Sequence, residues 1–305
     1  MKPKILVLTI GVIFSFIFPL TSINIMHAQQ HIDIQQGLVI PDSVHLQILT
    51  TTDGSSLIGR IVEIGVNEIQ FQTDMGKISI QIAKVKKIKE IPITSFKNGK
   101  YWFSNPNYTR LYFAPTGRAL KEGEGYFASY YIFFPMVAYG ITNNITVAGG
   151  FSLIPWIGID KQLFYIAPKI GIVSTKDFAL STGVLYAKFP SFDDGNSPSA
   201  GIIYGVGTYG DANNSFTAGL GYGFTKNNEW QLADKPMFMF GGEARVSRLI
   251  SLVTENWVIP GTDAPFISYG LRFFSEKISI DFAFINYLGD LLFPGIPYVD
   301  FVVSF

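Results

Sequence analysis

The chain has 305 residues, is 48% hydrophobic and 15% charged, and carries 23 basic and 23 acidic side chains, so its formal net charge is zero. That balance gives no electrostatic basis for binding nucleic acid. With no cysteine in the sequence, a disulfide framework, a thiolate zinc site and a lipid-anchoring thiol are excluded.

The opening stretch MKPKILVLTIGVIFSFIFPL places Lys2 and Lys4 before an apolar run that Pro19 interrupts, and TSINIMHAQQ follows. This pattern predicts a secretory signal peptide over residues 1–28, cleaved after Ala28. The rival reading is a membrane-spanning anchor, which needs about 20 apolar residues. Residues 29–43 form an N-terminal segment.

Residues 44–92 alternate apolar and polar side chains over about five short runs, with turn signals at Asp53-Gly54, Asn67 and Gly76. The order strand, Asp-Gly, strand with an internal Gly59, then EIQFQTDMGKISIQI, resembles the small SH3-like or Sm-like barrel. Cytoplasmic Sm-like domains bind RNA, but an exported module would meet none, so that function is not carried over. Lys84, Lys86, Lys87 and Lys89 are read as a solvated strand edge that discourages edge pairing, with contact to anionic headgroups or a periplasmic partner as the alternative. Residues 93–108, with Lys97, Lys100, Tyr101, Trp102 and Phe103, form a linker suited to a membrane interface.

From 109 to 305 the pattern changes to successive strand-like runs near 109–115, 124–141, 145–155, 162–174, 178–190, 200–210, 215–225, 236–247, 250–259, 265–274, 278–288 and 296–305. Short connections (142–144, 175–177, 211–214, 247–249, 275–277) alternate with longer ones, as in a transmembrane barrel with short periplasmic turns and long outer loops. The predicted fold is all-β: an antiparallel transmembrane β-barrel of about 12 strands, with 10 as the alternative, behind a small SH3-like β domain in the periplasm.

The chemistry of the two strand faces supports this reading. In SFTAGLGYGF, Phe216, Ala218, Leu220, Tyr222 and Phe224 share one face, and Thr217, Gly219, Gly221 and Gly223 share the other. A soluble sandwich would expose charge opposite its apolar face, whereas glycine, serine and threonine suit a crowded barrel interior. The same alternation turns Lys169, Glu243, Arg245, Arg272, Asp281 and Asp300 inward. Because the last three strands are neighbours, Arg272, Asp281 and Asp300 are expected side by side in an internal ion network. Such a network is either structural, since buried charges must be paired, or a selectivity ring.

The final run YVDFVVSF alternates to its terminal aromatic. It resembles the assembly signal of bacterial outer-membrane β-barrel proteins, with Phe301, Val303 and Phe305 on the matching positions. The resemblance implies outer-membrane lipid and the barrel insertion machinery as partners; a periplasmic partner of the small domain is left unidentified.

Barrel enzymes that resemble one another in using a histidine base would need one in the barrel, and the three histidines here are His27, His31 and His45. Lys169 and Lys188 show no serine partner for Ser-Lys chemistry. Asp193 and Asp194 read as a polar turn, with calcium binding as the alternative. No catalytic residue, metal or cofactor is expected. The expected function is that of a non-enzymatic barrel with a closed lumen, acting as a structural, scaffold or adhesive protein; the alternative is a transporter of a small or hydrophobic solute.

Overall fold

The computed structural model describes residues 38–305 except 98, 191–196 and 228. The signal-peptide stretch and the Asp193-Asp194 turn therefore lie outside the described residues. The chain divides into two compact units, with the boundary in sequence between Ile93 and Thr94.

The first unit is a five-stranded antiparallel sheet of β1 (His45–Thr51), β2 (Ser56–Ile64), β3 (Glu68–Thr73), β4 (Gly76–Gln81) and β5 (Val85–Pro92), ordered β4-β3-β2-β1-β5. Alternation along these strands turns Leu49, Ile61, Ile69, Phe71, Ile80 and Val85 into one core. A bulge between Ile61 and Glu63 interrupts the β2–β3 ladder. The buried Gln47 side chain accepts from the Ile61 amide at 2.9 Å and donates to the Val39 carbonyl at 2.7 Å, which satisfies it inside an apolar core.

Gly59 allows β2 to pass closely over β3, since a Cβ at this position would lie 2.1 Å from the Gln72 carbonyl oxygen. Gly59→Ala should therefore strain the sheet by about 1–3 kcal/mol. Limited proteolysis of the full chain should then cut within 44–92 while the barrel stays resistant; an unchanged digestion pattern would show that the sheet yields without cost.

The second unit begins with a two-residue hairpin, β6 (Phe96–Lys97) and β7 (Lys100–Tyr101), followed by an irregular stretch to residue 124. Then come β8 (Gly125–Tyr130), β9 (Phe134–Gly140), β10 (Ile145–Phe151), β11 (Phe164–Ser174), β12 (Phe178–Lys188), β13 (Ser199–Gly210) and β14 (Asn214–Lys226). The short β15 (Trp230–Leu232) pairs only with the end of β14. The remaining strands are β16 (Met237–Arg245), β17 (Ile250–Val258), β18 (Phe266–Phe274), β19 (Ile278–Tyr287) and β20 (Ile296–Ser304). With β15 set aside, these form a ring of twelve antiparallel strands, closed by β20 pairing with β8 and continuous through the β13–β14 pair.

The strand number agrees with the sequence reading, but two of its runs are corrected. Residues 109–115 form no wall strand. The run 124–141 is two strands, β8 and β9, joined by a tight turn at residues 131–133. The faces divide as lipid requires: in β14 Phe216 and Leu220 are exposed while Thr217 and Gly221 are buried. In β20 Val299 and Val303 are exposed while Tyr298, Asp300 and Val302 are buried. Phe127 and Phe301 meet across the outer surface of the β8–β20 seam with ring centroids 5.8 Å apart. Phe305 continues that seam, exchanging backbone hydrogen bonds with Gly125 at 2.9 and 3.2 Å. Its ring packs where a Gly125 side chain would otherwise stand.

Candidate functional site

The interior is built around the stretch that replaces the first expected strand. Residues 103–120 enter the ring at the short-turn end, fold back at Tyr112–Ala114, and return to start β8. The base of this inward hairpin is fixed at the short turns. The Phe103 carbonyl accepts from Arg245 at 2.8 Å, Asn105 donates to the Ala212 carbonyl at 3.0 Å, and Arg118 reaches the Gly210 carbonyl. Its two limbs bond to each other through Thr116–Thr109 and Leu111–Ala114 backbone contacts, each 2.9 Å.

The tip rests on Glu255 of β17, which is 1% exposed. One carboxylate oxygen of Glu255 accepts from three successive backbone amides, Tyr112, Phe113 and Ala114, at 2.9, 3.0 and 2.9 Å. The other accepts from the Trp257 indole at 2.8 Å. A run of amides converging on one anion satisfies both the charge and the bent backbone. Tyr112 adds a hydroxyl bond to the Val253 carbonyl at 2.7 Å.

All six residues placed inward from the sequence are buried in the lumen: Lys169, Glu243, Arg245, Arg272, Asp281 and Asp300. Arg272, fully enclosed, stands opposite Asp281 across β18–β19 and binds both its oxygens at 2.8 Å. Its remaining donors go to Glu243 at 2.7 Å and to the hairpin carbonyls of Asn107 and Leu111 at 3.0 and 2.7 Å, so all five N–H groups are used. Asp300 stands opposite Asp281 across β19–β20. Its partner is Arg110 of the hairpin, at 2.5 Å, rather than Arg272.

Lys169 and Arg245 do not join this ionic centre. The Lys169 ammonium spends its three donors on the carbonyls of Thr109, Thr116 and Arg118 at 3.2, 3.2 and 2.6 Å. Arg245 caps the Phe103, Ser247 and Arg248 carbonyls and packs its guanidinium on Phe274, 4.5 Å from the ring centre. Four basic and four acidic residues are buried here among the described residues, with Arg110 and Glu255 completing the set. Each touches the hairpin or a residue that does. The lumen is thus closed by a returning stretch of chain, with the charges as its fastenings.

Alternation in the sequence did not reveal Arg110, because 109–115 was read as wall, or Glu255, although it shares a strand face with Ser251, Val253 and Trp257 in ISLVTENWV. An acidic residue on the small-polar face of such a run is the signal that could have found it.

Alongside the hairpin, on the β8–β13 side of the lumen, lies a chamber of about 390 Å³, lined by Thr109, Arg110, Phe113 and Pro115 of the hairpin and walled by Tyr126, Tyr130, Tyr165 and Tyr204. A smaller space of about 120 Å³ adjoins it across Phe113, Leu185 and Tyr204. On the first unit, Asp42, His45 and Glu90 bring one ligand-type atom each within 4.8 Å of one another. The His45 hydrogen bond at 2.7 Å holds the exposed Asp42 carboxyl below its ordinary pKa.

A closed antiparallel ring of even strand number, apolar outside and charged within, defines the fold of a bacterial outer-membrane β-barrel protein. No protein-family model and no curated protein matches the chain. Among solved structures it is similar to a loop-deleted form of OmpT, an outer membrane protein of Vibrio cholerae, at 10% identity over 86% of this chain and 97% of that one, with a TM-score of 0.31. It is likewise similar to Salmonella typhi OmpF in complex with daunomycin, at 12% identity over 86% of this chain and 96% of that one, with a TM-score of 0.30. The assignment of the fold rests on this chain's own strand order and faces.

Proposed function

We propose that the protein is a non-enzymatic, non-conducting barrel of the bacterial outer membrane that serves a structural, scaffold or adhesive role through its outer loops and an N-terminal module. The observation that carries this reading is the inward hairpin, which occupies the short-turn half of the lumen and uses the buried charges as its anchors. The non-enzymatic reading is supported by Lys169, whose donors are all committed to hairpin carbonyls, and by Ser181, whose hydroxyl donates to the Gly117 carbonyl at 2.6 Å.

Short turns face the periplasm in transmembrane barrels. The chain enters this barrel at its short-turn end, which supports a periplasmic location for the preceding module. The sheet order β4-β3-β2-β1-β5, with a single 3₁₀ turn before the last strand, supports reading that module as SH3-like and suited to a periplasmic partner. The outward placement of Phe301, Val303 and Phe305 supports recognition of β20 by the insertion machinery. A second reading, carriage of a hydrophobic solute, is favoured by the aromatic chamber.

The test is swelling of liposomes containing the refolded protein. The sealed barrel should admit no small sugar above the protein-free rate. Swelling that scales with protein content would overturn the proposal.

A further inference from the structure

The wall of the barrel is not equally tall all round. Strands β11 to β14 run for eleven to thirteen residues, but β8 and β9 have six and seven. A transmembrane strand needs about 9–11 residues. At roughly 3.3 Å per residue and a tilt near 40°, six residues climb about 15 Å, well short of an apolar band about 25 Å tall. The β8–β9 hairpin therefore turns at membrane depth.

Two independent features agree. The turn residues Tyr131, Ile132 and Phe133 are apolar or aromatic instead of the usual glycine, asparagine or aspartate, and Ile132 and Phe133 are exposed, 72% and 44%. Tyr131 and Ile132 also hold left-handed backbone, with φ of 50° and 69°, a rare conformation for bulky and β-branched residues. Water would favour polar side chains in such a turn; lipid favours these.

Above the turn the neighbours lack their usual partner. Asp300 is the last residue of β20 in register with β8, and the Val299 carbonyl accepts from the Tyr131 amide of the turn at 2.9 Å, so Ile296 to Tyr298 have no strand pairing on that side. On the other flank Leu153 reaches Phe133 by a backbone bond of 2.6 Å, and Phe151 pairs only with β11. The wall thus has a lateral notch between β20 and β10, and the residues beneath it, Tyr130, Tyr131 and Phe134, also line the 390 Å³ chamber.

We propose that this chamber is a binding site for a small, predominantly apolar molecule dissolved in the membrane, and that the notch above the β8–β9 turn connects it to the lipid phase. Its volume lies in the range of small-molecule sites. The lining is mostly aromatic and aliphatic, with Thr109, Arg110, Thr146 and Lys169 as its polar members; Arg110 is paired with Asp300, and Lys169 donates to hairpin carbonyls. The ligand is accordingly predominantly apolar. This site lies between the hairpin and the β8–β13 wall and does not require the lumen to conduct.

The test uses the refolded full barrel in phosphatidylcholine nanodiscs, titrated with the apolar fluorophore N-phenyl-1-naphthylamine against empty nanodiscs. Saturable binding of one equivalent is expected. Ala187, which lines the chamber and pairs with Tyr165, provides the variant: Ala187→Trp should weaken binding at least tenfold, and the smaller filling Ala148→Leu should weaken it several-fold. Thr182→Trp, on the exposed face of the same strand, should leave it unchanged. Folding of each is checked by heat-modified gel mobility. Absence of saturable binding, or equal binding by the folded filled variants, would overturn the proposal.

Discussion

Arg272→Ala is expected to cost the barrel about 3–5 kcal/mol, the range for removing one partner of a buried ion pair. The guanidinium is fully enclosed and binds Asp281 through two bonds, Glu243 through one, and the hairpin carbonyls of Asn107 and Leu111. Its loss leaves two carboxylates without their cation and frees the entering limb of the hairpin at Asn107 and Leu111. Arg272→Lys should recover only part of this, because an ammonium supplies three donors where five are used. Urea-dependent unfolding in detergent, followed by loss of heat-modified gel mobility, measures the effect. A midpoint within experimental error of the wild type would show that the ion cluster holds nothing in place.

Glu255→Ala has the second largest expected effect and acts by a different route. It removes the anion on which three consecutive amides converge, and a buried amide without an acceptor costs about 1–3 kcal/mol. The total expected loss is on the order of 3 kcal/mol, since water reaching a loosened tip restores part of it. The strand ladder is untouched, so the variant should keep its wall. It should instead show brief conductance openings as the tip leaves its seat. Glu255→Gln, which keeps acceptor oxygen but loses charge, should fall between the two. A silent Glu255→Ala barrel with wild-type stability would mean that the tip is held by packing of Leu111, Tyr112 and Tyr298 alone.

Much of the wall was legible because lipid imposes a strict two-residue period. The faces of β12 and β14 and the inward side of β20 follow directly from alternation of large apolar with small residues. The interior was less legible. Residues 109–115 carry strand-like composition, TRLYFA before Pro115, but the amides of Tyr112, Phe113 and Ala114 go to Glu255 instead of a neighbouring strand. That misreading hid Arg110, and with it the reason Asp300 can stand beside Asp281.

The split of 124–141 was hidden for the opposite reason. The turn at Tyr131–Phe133 carries none of the polar residues that mark turns in water. One run too many and one too few left the strand number at twelve. Lys169 and Arg245 were legible as inward residues, but not their partners, because backbone carbonyls offered by an irregular stretch leave no trace in side-chain periodicity.

The most direct test of the hairpin seal is single-channel conductance in a planar bilayer, comparing the wild type with a variant in which residues 104–117 are replaced by a short Gly-Ser link. Glu243, Glu255, Asp281 and Asp300 would then face water and be hydrated, so the ring can persist without the hairpin. The account predicts a silent wild type and steady, cation-preferring conductance in the variant. A conducting wild type, or a folded variant as silent as its parent, would contradict it.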